Sequence, residues 1–224
     1  MRISIIVPIL DEAEQLPDLF AHLLQMKRAG CEIIFSDGGS RDKSKLLTRI
    51  AGYTVVESNR GRASQMNAGA AVSTGDVLLF LHADTRLPNG AVEQVRKAVM
   101  GSKHQWGHFD VRIRGRHFML KVIGFMMNWR SRLSGIATGD QALFIRRDAF
   151  ERLQGYPNQP LMEDVEMCRQ LKKLSEPVCI MDCVMTSGRR WETRGIWKTI
   201  LLMWYLRFRY WAGADSHDLA RLYQ

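Results

Sequence analysis

The stretch Val77-Leu78-Leu79-Phe80-Leu81-His82-Ala83-Asp84 decides the fold of this chain. Five consecutive apolar residues lead through His82 and Ala83 to a carboxylate, and Thr85, Pro88, Asn89 and Gly90 follow as loop and turn residues. A short apolar run bounded by turn formers reads as a strand buried on both faces, as in a parallel sheet covered by helices. Its end delivers Asp84 to the carboxyl edge of the sheet, where open α/β folds bind their ligands. A carboxylate at that edge can hold a divalent cation against nucleotide phosphates.

Upstream, residues 3–10 read as a strand, and Pro17 opens a helix whose apolar Leu16, Leu19, Phe20, Leu23 and Leu24 share one face. Gly30 ends it. A second strand, residues 32–35, hands Ser36, Asp37, Gly38 and Gly39 to a loop; a helix through Leu46, Leu47 and Ile50, a strand over 54–56 and a helix over 63–72 follow. Strands and helices alternating at this spacing predict a mostly parallel sheet with right-handed crossovers, an α/β fold of the Rossmann-like kind. Downstream the pattern predicts a helix over 91–99 and a half-exposed strand, in which Phe109, Val111 and Ile113 alternate with His108, Asp110, Arg112 and Arg114. A Met- and aromatic-rich helix over 118–133, a strand over 142–145, a helix over 163–173, a strand over 178–184 and a last helix over 196–211 complete the expectation. No repeat or linker divides residues 1–224, so one domain is expected.

A hydrophobic fraction of 46% and a charged fraction of 25% exclude disorder. The net charge of +9 favours phosphorylated substrates, anionic lipid or other polyanions, and the cations gather in 112–132 and 189–209. Cys31, Cys168, Cys179 and Cys183 lack the close pairing of zinc or redox motifs, and a reducing cytoplasm is the simplest compartment. The apolar start, Ile3 to Val7, is too short for a signal peptide. No segment approaches the roughly 18 to 20 apolar residues that span a bilayer.

The layout gathers Asp11, Glu12, Asp37, Asp84 and later Glu163 and Asp164 at one sheet edge. Like charges so placed are costly without a cation or a basic partner. Singly, Asp11 and Asp37 are better explained as helix caps or Asx turns, and it is their joint placement that favours a site.

At this point the sequence resembles family 2 glycosyltransferases of the GT-A fold over nearly its whole length. The resemblance is carried by Val7-Pro8-Ile9-Leu10-Asp11-Glu12, Asp37-Gly38-Gly39-Ser40 with Asp42 and Ser44, Arg60-Gly61-Arg62, Asn67 with Gly69, Leu81-His82-Ala83-Asp84, Glu163-Asp164 and Arg189-Arg190-Trp191. Gly139-Asp140-Gln141-Ala142 and Ser187-Gly188-Arg189-Arg190-Trp191 are more specifically similar to a small bacterial subgroup of transferases of unassigned substrate.

The resemblance implies a nucleotide-sugar-binding half in residues 1–100 and an acceptor-binding half in 101–224. It places Pro8, Asp11, Glu12, Asp37, Gly38, Arg62, Asn67, His82, Ala83 and Arg189 around the donor, with a UDP-sugar favoured. Asp84 would ligate Mg²⁺ or Mn²⁺ across the diphosphate. The family places two aspartates around one residue here, and this chain has His82 in the first place. Imidazole suits Mg²⁺ poorly and Mn²⁺ better, so the sequence reading turns His82 away, toward the sugar or into packing. Asp164 would be the general base for inverting transfer to an acceptor hydroxyl, with Glu163 its neighbour. Arg190 would meet the diphosphate, and Trp191 would wall the acceptor site.

Gly61 and Gly69 are equally well read as loop and packing glycines. Processive synthases carry Gln where this chain has Ser187, which favours single-sugar transfer. The helices over 118–133 and 196–211 combine aromatics with Lys and Arg; they suit anionic membrane at the inner face and a lipid-linked acceptor, but core or homodimer packing explains the apolar residues slightly better. Two other readings compete: a sugar nucleotidyltransferase, which would open on a Gly-rich basic loop where Asp11-Glu12-Ala13-Glu14 stands, and a non-catalytic basic module for membrane or nucleic acid. Nothing resembles an RNA-stacking motif or zinc finger, so no nucleic-acid partner is expected.

Overall fold

A computed structural model describes residues 1–223. Seven strands form one sheet: β1 (Ile3–Ile9), β2 (Glu32–Asp37), β3 (Thr54–Glu57), β4 (Val77–Phe80), β5 (Trp106–Arg114), β6 (Phe144–Arg146) and β7 (Val178–Ser187). Their order is β3-β2-β1-β4-β6-β5-β7. The first four run parallel, β6 is antiparallel to both β4 and β5, and β5 and β7 run parallel.

The helices are α1 (Leu16–Arg28), α2 (Ser44–Ile50), α3 (Arg62–Val72), α4 (Ala91–Val99), α5 (Met119–Ser134), α6 (Arg147–Arg152), α7 (Glu163–Leu171), α8 (Arg189–Arg194), α9 (Ile196–Trp211) and α10 (Ser216–Tyr223). The alternation of strand side chains divides the core. Ile3, Ile5, Val7 and Ile9 face α1 together with Val77, Leu79 and Leu81, and Val92, Val95 and Val99 of α4 pack on the same side. Ile6, Leu78 and Phe80 face the other side, where α3, α6 and α7 bring Met66, Phe150 and Met167. The two-sided burial inferred for 77–81 is thus present, and it leaves no polar residue on either face of β4.

Several boundaries differ from expectation. β4 stops at Phe80, so Leu81 to Asp84 form a descending loop beyond the strand. The expected half-exposed strand is buried on both faces through Val111, and only Arg112 and Arg114 reach solvent. Helix α5 covers one face of β5 and tethers it: Asn128 accepts from the Val111 amide at 2.8 Å and donates to the Val111 carbonyl at 3.0 Å. Polar alternation here marks a buried network, in which Arg132 pairs with Asp110 and His108 contacts Cys179. The Arg189-Arg190-Trp191 segment, to which no element was assigned, is the first turn of α8. The short helices α6 and α10 and the 3-10 turn at Gly139–Gln141 were unforeseen. All four cysteines are free.

Candidate active site

At the carboxyl edge of β1 and β4 lies a cleft of about 430 Å³. Pro8, Ile9, Leu10 and Glu12 form one wall, His82, Ala83 and Asp84 the floor, and Arg60, Gly61, Arg62 and Gln65 the side toward α3. Pro160, Leu161 and Glu163 close it from the α7 side, and Arg190 and Tyr223 from the C-terminal helices.

The floor answers the problem posed by His82. Its ring is not turned away: Nδ1 faces Asp140 Oδ1 at 3.2 Å. His82, Asp84 and Asp140 each offer a ligand atom, and the three atoms lie within 4.8 Å of one another. Asp140 comes from the 3-10 turn, 58 residues along the chain, and supplies the second carboxylate that the local sequence lacks. Close approach of that turn requires glycine, since a Cβ on Gly139 would lie 2.5 Å from the His82 ring. An imidazole with two carboxylates fits Mn²⁺ better than Mg²⁺, which prefers oxygen alone. Burial works to raise the Asp140 carboxyl, but the His82 hydrogen bond and the charges of Arg62 and Arg190 outweigh it and hold it below the usual range.

Glu163 is buried on the opposite wall. Desolvation, then the neighbouring Asp164, raise its carboxyl to about 7. Arg62 lies in the field of Glu163, Asp140 and Asp164, which outweigh the cost of its burial and hold its guanidinium charged. Asp164 is turned from the cleft wall: one oxygen accepts from the Gly139 amide at 2.9 Å and the other from the Val165 amide at 2.8 Å. Those bonds tie α7 to the turn that carries Asp140.

Glu12 lies 3.9 Å from Arg189, and burial followed by the charge of Asp84 raises its carboxyl. Arg190 stacks on the Tyr223 ring at 3.9 Å, a cation–π contact at the rim.

Other residues expected around the donor have structural partners. Asp11, at φ 55°, accepts from the Arg41 amide at 2.7 Å, while Asp42 accepts from the Ala13 amide at 3.0 Å, so the two loops brace each other. Asp37 is buried and accepts from the Gly39 and Ser40 amides, the Asx-turn alternative. Gly38 packs against Gln65, whose amide donates to the Ile9 and Ser36 carbonyls. Asn67 pairs with both backbone groups of Tyr156, stitching α3 to the loop after α6. Trp191 packs against the Ile113, Leu120 and Ile123 cluster rather than walling the cleft. Asp11, Asp37, Gly38, Asn67 and Trp191 therefore lie outside the lining of the cleft. Sequence reading did not assign Asp140, Arg60, Gln65 or Tyr223 to the site; Asp140 and Arg60, both inside quoted motifs, carried a signal, whereas Gln65 and Tyr223 carried none.

Residues 4–155 match the family described as glycosyl transferase family 2. The chain belongs to that family. A relative, the undecaprenyl-phosphate 4-deoxy-4-formamido-L-arabinose transferase of Pseudomonas aeruginosa, is 30% identical over 112 residues, covering 44% of this chain and 33% of the relative. The chain therefore spans about a third of the length of the curated relatives it matches. A mannosyltransferase from Pyrobaculum calidifontis, in complex with GDP-Man and Mn²⁺, superposes with a TM-score of 0.63 at 19% identity, covering 82% of this chain and 56% of that one. Glucosyl-3-phosphoglycerate synthase from Mycobacterium tuberculosis, in complex with Mn²⁺, UDP and its product, gives 0.61 at 17% identity, covering 83% and 70%. The fold of this family 2 chain is that of the GT-A group. Among the described residues, no helix is long and apolar enough to cross a membrane.

Proposed function

We propose that this single-domain glycosyltransferase moves one sugar from a nucleoside-diphosphate donor, a UDP-sugar by preference, to an acceptor hydroxyl with inversion at the anomeric carbon. The observation that carries the reading is the bipolar cleft, with the His82, Asp84 and Asp140 triad at its floor and Arg62, Arg60 and Arg190 around it. Mn²⁺ held by the triad would act as a Lewis acid on the departing diphosphate. Glu12 and the backbone of Pro8 border the space for base and ribose, and Arg62 and Arg190 neutralise phosphate charge by forked donation.

The base comes from the Glu163 and Asp164 pair, with Asp164 the resemblance-based choice. Glu163 is the member facing the cleft, and a carboxyl raised to about 7 is well matched to taking a proton at neutral pH. Asp164 reaches the acceptor only by exchanging its Gly139 contact, so Glu163 is the competing base on a specific observation. Comparing Glu163→Gln with Asp164→Asn separates them. Loss of transfer with retained donor binding in Asp164→Asn alone supports Asp164; the same result in Glu163→Gln alone moves the role to Glu163.

The lipid-linked acceptors named for the relatives, and the exposed aromatic faces of α5 and α9, support a lipid-linked acceptor and action at the inner face of the membrane. The decisive test of the reading is thermal shift with UDP, GDP and TDP, with and without Mn²⁺, followed by slow donor hydrolysis across nucleotide sugars. No stabilisation by any nucleoside diphosphate in Mn²⁺ would end it.

A further inference from the structure

A second concavity, larger than the donor cleft, lies elsewhere on the described residues. A groove of about 770 Å³ lies between the end of α5, α7 and the end of α9, on the other side of the segment that carries Glu163 and Asp164. Its apolar walls are Ile136, Met162, Val165 and Trp211. Five cations line it, Arg130, Arg169, Lys172, Lys173 and Arg207, against one carboxylate, Glu166. That carboxylate is already engaged by Arg169 at 3.5 Å and by the Tyr210 hydroxyl at 3.4 Å.

Arg130 makes the groove a built site. Its Nε is buried without a hydrogen-bond partner, and among the described residues its guanidinium makes one hydrogen bond, a 3.5 Å contact to the Ile136 carbonyl. A desolvated guanidinium with an unused N–H is costly unless an acceptor arrives to meet it. Forked donors of this kind match the oxygens of a phosphate group.

The groove opens beside an apolar surface. Trp211 is 78% exposed at its lip, and Trp204, Phe208 and Leu201 continue along α9 at 62 to 68%. Helix-spaced aromatics beside Lys and Arg suit the interface of an anionic membrane, with apolar side chains in the acyl boundary and cations at the headgroups.

We propose that this groove binds the phosphate of a phosphate-headed lipid, with the phosphate on Arg130 and the acyl or prenyl chain leaving along α9 into the bilayer. The site would hold a lipid beside the α7 turn, across from the donor cleft. Its use as an acceptor site rests on the transferase reading; lipid binding itself does not.

The test is flotation with phosphatidylcholine vesicles doped with a long-chain alkyl phosphate, against vesicles of matched charge doped with phosphatidylglycerol, with inorganic phosphate as competitor and no donor present. Expected is a preference of about tenfold or more for the alkyl phosphate, the scale of one charge-assisted hydrogen bond. Arg130→Met should abolish that preference while leaving UDP- and Mn²⁺-dependent thermal stabilisation unchanged. Should Arg130→Met fold poorly, the exposed pair Arg169→Glu with Lys173→Glu should lower the same preference. Equal binding to both vesicle types, or an unchanged preference in both variants, overturns the proposal. Inorganic phosphate that competes only weakly with the alkyl phosphate vesicles supports the lipid assignment, whereas phosphate binding as tight as the vesicles overturns it. Failure of UDP and Mn²⁺ to stabilise the parent protein would sink the donor reading and leave this result standing.

Discussion

His82 is the residue on which the chemistry of the cleft turns. With Asp84 alone, a hard cation would have one protein carboxylate; with Asp140 drawn to His82 at 3.2 Å, it has a mixed set of nitrogen and oxygen donors. Asp140→Asn should therefore weaken Mn²⁺-dependent stabilisation by UDP, and by more than the ~10–100-fold typical of removing an outer partner of a ligand. Titration of Mn²⁺ by thermal shift checks this, and an unchanged midpoint would remove Asp140 from the site. Glu163 makes a second prediction. Desolvation and the Asp164 charge raise its carboxyl to about 7, so the ionised form needed for a base appears only as pH rises through that value. Turnover should rise with pH across neutrality, and Glu163→Gln should flatten or displace that acid limb. A limb unmoved in the variant would assign it to another group.

At the scale of elements, the contact between α3 and β1 sets the depth of the cleft. Gly69 lies so close to β1 that an added Cβ would stand 2.5 Å from Ile6 Cγ2. Gly69→Ala should cost about 1–3 kcal/mol by overpacking, measured by denaturant unfolding. The sequence left Gly69 open between a packing and a nucleotide role, and the packing role is the one the geometry explains. Asn67 behaves alike. Its amide closes both backbone groups of Tyr156 at 2.8 and 2.9 Å, so Asn67→Ala should lose roughly 1–3 kcal/mol of stability through unpaired buried groups. Donor affinity in the folded variant should change little; a large loss at full stability would return Asn67 to the donor site.

For the molecule as a whole, the cleft is a place where folding works against electrostatics. Because the Glu163 carboxyl is raised in the fold, the native chain binds more protons than the unfolded one between about pH 4.5 and 7, and this group's contribution to stability falls as pH rises through that window. Ligand reverses the loss. A nucleotide and metal at ~100 times their dissociation constant should add about 2.7 kcal/mol, and chelation should remove it. A melting temperature in UDP and Mn²⁺ that chelator leaves unchanged would contradict the metal-linked cleft.

The parallel half of the sheet, its helices and Asp84 at its edge were legible in residues 1–99, because local periodicity there coincides with burial: apolar runs became strands, and one-sided stripes became α1 and α4. Residues 101–223 were less legible because α5 covers β5, so polar residues such as His108 and Asp110 satisfy one another inside rather than facing water. The sequence by itself determined the α/β class, the family motifs and the carboxylate that ends the Val77 to Asp84 stretch. Only the tertiary structure decided that Asp140 joins His82 and Asp84, that Glu163 rather than Asp164 lines the cleft, and that Asp11 braces the loop after β2. Asp140 meets His82 across 58 residues, Asp164 meets Gly139 across 25 and Asp11 meets Arg41 across 30, approaches set by how the strands order in the sheet. Local spacing carries no information about distance across a fold, and the grouping of His82 with Asp140 is defined by that distance.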